Sequence, residues 1–319
     1  MKTNILKRCC WIVVLGIGVP AIGQTSQPVD QEKGFTEIES IQGTINSSAK
    51  LLKFDSVLGY DFNKHFGMFA GLPVYFTNIS TTSTTSSTTG TSGSTNTNNN
   101  GIGNVYVGFA LRMPHEDWNF ASTLTGAAPT GSTTNGYSTG RVTVDWSNRL
   151  ERSFNRFTPF IEAGLANTVP DSPLLTRPFT SLGVVGHLEE GAEYELVHHF
   201  SMGASAYQIL PTGNQKVFSK VVTSGGVTSG AVASGAVTAG KSGTALGSHH
   251  QPQPFEVSFV STGTSLTREN GFNTWFAFQP SQFWRVEAGY SRSMTFDFNS
   301  FTFNLGFDVG KLIRYKKGH

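Results

Sequence analysis

Charge is scarce in this chain: Asp, Glu, Lys and Arg make up only 14% of its 319 residues. With 23 bases against 21 acids the formal net charge is +2, which excludes a strongly basic nucleic-acid-binding surface and an acidic tail. Cysteine is nearly missing, with two in all, and hydrophobic residues reach only 38%, below the usual globular share. After residue 23 no window approaches the roughly 18 consecutive apolar residues of a membrane-spanning helix. What the chain holds instead is 36 glycines, 25 phenylalanines and long Ser/Thr/Asn stretches. That mix suits neither a soluble enzyme nor a helical membrane protein. It suits a β-barrel with an apolar outside and polar loops.

Residues 1–23, MKTNILKRCCWIVVLGIGVPAIG, read as a cleavable export signal. Lys2, Lys7 and Arg8 precede an apolar stretch, and Ala21 and Gly23 are small residues suited to cleavage before Gln24. The apolar run Cys9–Ile22 contains Pro20 and is too short to cross a bilayer core of about 30 Å. Cleavage would remove both cysteines, leaving no disulfide, thiol nucleophile or cysteine metal site. It would also remove three bases and no acid, taking the formal charge from +2 to −1.

The rest of the chain alternates with the period of a β-strand. Leu52, Phe54, Leu58, Tyr60 and Phe62 are apolar, with Lys53, Asp55 and Asp61 between them. Phe66, Met68, Ala70, Leu72, Val74 and Phe76 continue the pattern, and Val105, Val107, Phe109, Leu111 and Met113 form another stripe opposite Asn104, Tyr106 and Arg112. Further strands are expected near 118–129, 141–150, 157–167, 180–196, 200–210, 271–279, 283–292 and 300–310. Pro73 and Pro159 fall inside strands and should mark bulges, since proline cannot donate to the ladder. Short connections at 63–65, 114–117, 151–156, 197–199 and 280–282 alternate with long ones at 77–103, 130–140, 168–179, 211–270 and 293–299. Outer-membrane barrels show that asymmetry, with short periplasmic turns and longer outside loops. An even strand count requires one more strand at 35–46, whose alternation is poor. The fold class expected is therefore all-β, a transmembrane antiparallel barrel of about twelve strands.

Aromatics stand directly after each short turn: Phe66, Trp118, Phe157, Phe200 and the pair Phe283-Trp284. At one height around a barrel they would form an interface girdle. With the apolar stripe facing lipid, Asp55, Arg112, Arg141, Asp145, Arg149, Glu162, Glu193, Arg285, Glu287 and Asp308 should line the lumen, because a charge facing lipid costs up to about 2–4 kcal/mol at mid-membrane. Such a lumen is either salt-bridged and filled or a channel carrying both signs.

Residues 79–100, ISTTSTTSSTTGTSGSTNTNNN, lack charge and almost all apolar side chains, so little burial offsets their ordering entropy. Residues 225–240 repeat with period five. Both are expected to be flexible loop insertions. Gly136-Tyr137-Ser138-Thr139-Gly140 matches the G-x-S-x-G hydrolase pattern, but that motif works on a strand-to-helix elbow and no helix follows here. His198-His199 and His249-His250 lack a third ligand at a defined spacing, so no metal and no cofactor is expected.

Gly101-Ile102-Gly103-Asn104-Val105-Tyr106-Val107-Gly108-Phe109, Ala128-Pro129-Thr130-Gly131 and Phe157-Thr158-Pro159-Phe160 resemble the outer-membrane channel family associated with the meta-pathway of phenol degradation. The resemblance implies a twelve-stranded type of barrel and uptake of small hydrophobic or aromatic compounds; it supplies no catalytic residue. Asn104 departs from the Asp frequent in that pattern.

The organisation expected is a signal at 1–23, a periplasmic segment at 24–34, a barrel over 35–310 with low-complexity loops at 79–100 and 211–255, and a tail at 311–319. The function expected is not enzymatic: a passive channel or transporter for small solutes in a Gram-negative-type outer membrane. A surface barrel anchoring its loops is the alternative, and a membrane-embedded hydrolase a remote one. The partners implied are outer-membrane lipid, the barrel assembly machinery and a small-molecule solute, with no nucleic acid.

Overall fold

The structure, a computed structural model, describes residues 33–45, 49–83, 93–220, 260–281, 283–309 and 312–313. The export signal, most of the 24–34 segment, the repeat at 225–240, His249-His250 and most of the 311–319 tail lie outside the described residues.

The first half of the chain forms β1 (Gly34–Ile45), β2 (Ala49–Asp61), β3 (Phe66–Ser83), β4 (Gly93–Ile102), β5 (Tyr106–Pro114), β6 (Trp118–Ala127), β7 (Thr143–Arg152) and β8 (Phe157–Ala166). The second half forms β9 (Phe179–Leu182), β10 (Val185–Val197), β11 (Phe200–Pro211), β12 (Asn214–Ser219), β13 (Val260–Thr264), β14 (Glu269–Ser281), β15 (Trp284–Ser293) and β16 (Phe298–Asp308). Twelve of them run in the order β10-β11-β14-β15-β16-β1-β2-β3-β5-β6-β7-β8, and β8 lies against β10, so the antiparallel sheet closes on itself. Closure leaves no free edge, so the wall's backbone polar groups are paired within it. β1, the strand with the weakest pattern, is the seam between the chain's two ends: it pairs with β2 on one side and β16 on the other.

Period two sorts the side chains. On β2 the exposed Leu52, Phe54 and Leu58 alternate with the buried Leu51, Lys53, Asp55 and Val57; on β16 the exposed Phe301, Phe303 and Phe307 alternate with the buried Ser300 and Thr302. Phe66, Trp118, Phe157, Phe200 and Trp284 are exposed on the outer face, each at the short-turn end of its strand. Phe200 stacks on Phe278 with ring centroids 4.3 Å apart, and Phe278 meets Trp284 edge-on at 6.4 Å.

Two sequence expectations need correction, those for Pro159 and for residues 79–100, and two others find their physical reason. β1 alternates poorly because Glu37 and Glu39 take outward positions while Ile38 lines the interior; Glu190 on β10 is likewise exposed on the outside. Pro73 does sit at a one-residue irregularity: β3 keeps an unbroken register with β2, but on its other edge Gly71 faces Tyr106 and Val74 faces Ile102, so one extra residue is accommodated there. On the β7 edge no register shift occurs at Pro159, where Glu151↔Phe160 and Phe154↔Phe157 keep one register; further shifts lie at Glu195/Val197 and Phe278/Ser281. Residues 79–100 are not wholly irregular, since the end of β3 pairs with β4 from Val74↔Ile102 to Ser83↔Gly93. Backbone ladder bonds, which need no apolar side chain, order this hairpin.

Candidate functional site

The barrel is filled unevenly. At the long-loop end, β9, β12 and β13 form a small three-stranded sheet. Phe179 and Val217 from that sheet, with Val169 and Leu175, pack against Val185, Tyr207, Ile209 and Phe298 of the wall. The G-x-S-x-G segment joins this filling. Gly136 has φ +69, and a Cβ there would stand 1.9 Å from the Ser219 carbonyl oxygen, so only glycine fits. Tyr137 stacks on Tyr75 at 5.1 Å, and the buried Ser138 Oγ accepts from the Gly140 N–H at 3.1 Å. These residues close a turn and fill space; no elbow forms.

Residues 167–178 fold into the lumen. Gln42 Nε2 donates to the carbonyls of Ser172 at 3.2 Å and Pro173 at 2.6 Å, and Thr44 Oγ1 donates to that of Thr176 at 2.5 Å. Leu174 meets Phe160 and Trp275 on the far wall. A Cβ on Gly289 would stand 2.4 Å from the Leu174 side chain, so a glycine in β15 makes room for it. Arg177 Nε bonds Glu269 Oε2 at 2.6 Å, and Tyr207 donates to the other carboxylate oxygen at 2.9 Å.

Asp171 is the hub of this inward segment. Its carboxylate lies 3.8 Å from Lys53 Nζ and 3.5 Å from Lys220 Nζ, and accepts from the Tyr75 hydroxyl at 3.2 Å and the Arg177 N–H at 2.9 Å. Burial pushes the Asp171 carboxyl up, but Lys220, Lys53 and the Arg177 N–H outweigh it and leave the group below the ordinary carboxylate range. Lys220 lies 4.4 Å over the Tyr75 ring and donates to the Arg177 carbonyl. Burial pushes its ammonium down to about 8, against the pull of Asp171.

Beneath this filling lies a cavity of about 400 Å³. Asp61, Arg112, Phe283 and Asp308 line it at the short-turn end; Lys53, Tyr75, Asp171 and Lys220 line it where the inward segment crosses. Its wall comes mainly from β1–β3, β5, β15 and β16, while the opposite half of the interior is occupied by Phe160, Trp275 and Leu174.

The structure puts Asp55 3.0 Å from Lys53, with the Tyr106 hydroxyl donating to it at 3.1 Å. Arg112 pairs with Asp61 at 2.6 Å, and Asp145 with His187 Nε2 at 2.8 Å. Arg149 lies 3.8 Å over the Phe160 ring and reaches Glu151 at 3.1 Å and the fully buried Glu162 at 3.3 Å. Arg285 reaches Glu287 at 3.3 Å and Glu193 at 3.7 Å, and Asp308 lines the cavity. Arg141 differs: β7 begins at Thr143, and Arg141 stays exposed in the connection, away from the cavity lining. Lys53, Asp61, Glu151 and Glu189 share the inward parity and were legible by it. Asp171, Arg177 and Lys220 lie outside the strands, where no period applies. His198 and His199 form the turn between β10 and β11 with rings 3.9 Å apart, and no three His, Cys, Asp or Glu among the described residues could hold a metal ion.

A closed antiparallel wall of twelve strands, apolar outside and ionic within, defines the chain as a β-barrel of the outer-membrane type. No family model and no curated protein matches it. Among solved structures it is similar to the COG4313 outer membrane channel from Pseudomonas putida F1, at 8% identity and TM-score 0.52, over 89% of this chain and 99% of that one. It is also similar to the KdgM porin in complex with disordered oligogalacturonate, at 6% identity and TM-score 0.44 over 85% and 98% of the two chains. The CymD monoaromatic hydrocarbon channel stands at 6% identity and TM-score 0.35, over 87% and 88%. The first likeness shows a shared fold.

Proposed function

We propose that this chain is a passive outer-membrane channel or transporter for small solutes, hydrophobic or aromatic ones included. The carrying observation is the cavity inside a closed barrel, lined by ionic groups and by Tyr75, Tyr106 and Phe283 and crossed by one tethered segment. The fold it shares with the Pseudomonas putida channel supports the reading. So does the motif resemblance to the phenol-pathway channels, which is the only basis for the aromatic class. On this reading the short turns face the periplasm and the long connections face outside. Passage requires the 167–178 segment to shift, and Asp171 and Arg177 are its ionic tethers. Single-channel recording tests this: the purified barrel should conduct, and Asp171→Ala should conduct more. Folded protein silent at every voltage, in both forms, would remove the channel reading. A surface anchor would then lead, favoured by the β3–β4 hairpin, whose β3 pairs with β2 only as far as Ile79 and runs on to Ser83.

A further inference from the structure

The ion pairs of the inner wall are not balanced one to one. Arg285 sits between two carboxylates, Glu193 and Glu287, with side chains 12–16% exposed. Arg149 is shared in the same way by Glu151 and Glu162. Each guanidinium carries one positive charge against two negative ones, so each group keeps a net negative charge when its carboxylates are ionised. Glu189 adds to the excess, since Ser205 and Asn273, which hold it, are both neutral. Lys53 and Lys220 do not offset this, because they face Asp55 and Asp171 in equal number.

The two overloaded guanidiniums differ in position. Arg149 and its partners lie in the filled half, with the Glu162 side chain fully buried. Arg285 and Glu287 line the cavity itself, on the β15 side, where Asn304 Nδ2 donates to Glu287 at 3.1 Å. A charge surplus on a narrow, low-dielectric wall concentrates counter-ions and repels co-ions, and side-chain charge on a pore wall sets its selectivity.

We infer that the passage selects cationic over anionic solutes, with Glu193 and Glu287 around Arg285 as the residues that set the preference. The inference rests on the channel reading and deepens it: the solutes admitted carry positive charge or none, and small carboxylates and phosphates are disfavoured.

The experiment is a reversal-potential measurement on the purified full barrel in a potassium chloride gradient. The parent protein should show potassium permeating ahead of chloride. Glu193→Gln with Glu287→Gln should move the reversal potential toward zero, because amides keep the size and remove both charges. Asp297→Asn, which changes a loop acid paired with Arg292 away from the cavity, should leave it unchanged. Migration of unheated samples reports whether each variant is folded. Conductance with chloride ahead of potassium, or a folded Gln pair with parental selectivity, would overturn the inference and spare the channel. Silence at every voltage would remove the channel reading, and the inference with it.

Discussion

Asp171 sits on a connection, yet groups from three separate parts of the chain converge on it: Lys53 of β2, Tyr75 of β3 and Lys220 just past β12. This convergence makes the tether pH-sensitive in a defined direction. Packed, Lys220 titrates at about 8; released into water it would return to about 10.4. The packed arrangement therefore binds fewer protons between those values, and raising the pH through that window favours it. Asp171 acts in the same sense: its lowered carboxyl stabilises the packed state above the ordinary carboxylate range and loses that effect as pH falls. Conductance should thus decline from about pH 7 to about pH 10, and Lys220→Met should flatten that decline. A parental conductance that rises in alkali would contradict the assignment. Elsewhere, Arg149→Ala would leave Glu151 and Glu162 buried without their cation and should cost about 3–5 kcal/mol, read from urea unfolding in lipid. Glu39 presents the opposite case. It faces outward, accepts from Ser56 Oγ at 2.6 Å through one oxygen, and its other oxygen is buried with no hydrogen-bond partner. Glu39→Leu should stabilise the barrel by about 1–2 kcal/mol.

At the scale of elements, the 167–178 segment is held by side chains rather than by a ladder. Gln42, Thr44, Lys53 and Glu269 bind it from the wall, and Leu174 reaches across to Phe160 and Trp275. Gly289→Val would occupy the space of the Leu174 side chain without touching the β15–β16 register. Larger conductance with unchanged heat-stability is expected; equal conductance would show that Leu174 does not restrict the passage. The β3–β4 hairpin shows what pattern reading misses. Thr, Ser and Asn carry no apolar stripe, so residues 93–102 give no period-two signal, yet their backbone pairs with β3 over ten positions. Pro73 was legible in part: the irregularity it suggests is present, but on one edge of β3 only, the edge facing β4 and β5.

For the whole molecule, a closed wall should make the folded protein compact in detergent. Unheated samples should migrate differently from boiled ones, and the mature chain should fractionate with outer membranes; recovery in a soluble periplasmic fraction would end that reading. Protease added to intact cells should cut within the long connections, 79–100 and 211–255, and spare the turns near His65 and His115. Cleavage confined to permeabilised cells would invert the orientation.

The amino-acid sequence by itself determined the wall. Alternation in a strand forces neighbouring side chains to opposite faces, so Leu52 and Asp55, or Phe303 and Thr302, take opposite sides whatever they go on to touch. The even count followed from closure, even for β1, where Glu37 and Glu39 spoil the pattern. Only the tertiary structure decided what fills the lumen. Thr44 and Thr176 are 132 residues apart in the chain, and Asp171, on a connection, meets Lys53 of β2 and Lys220 just past β12. A connection has no repeating face to read, so its path is set by partners that meet only once the barrel has closed.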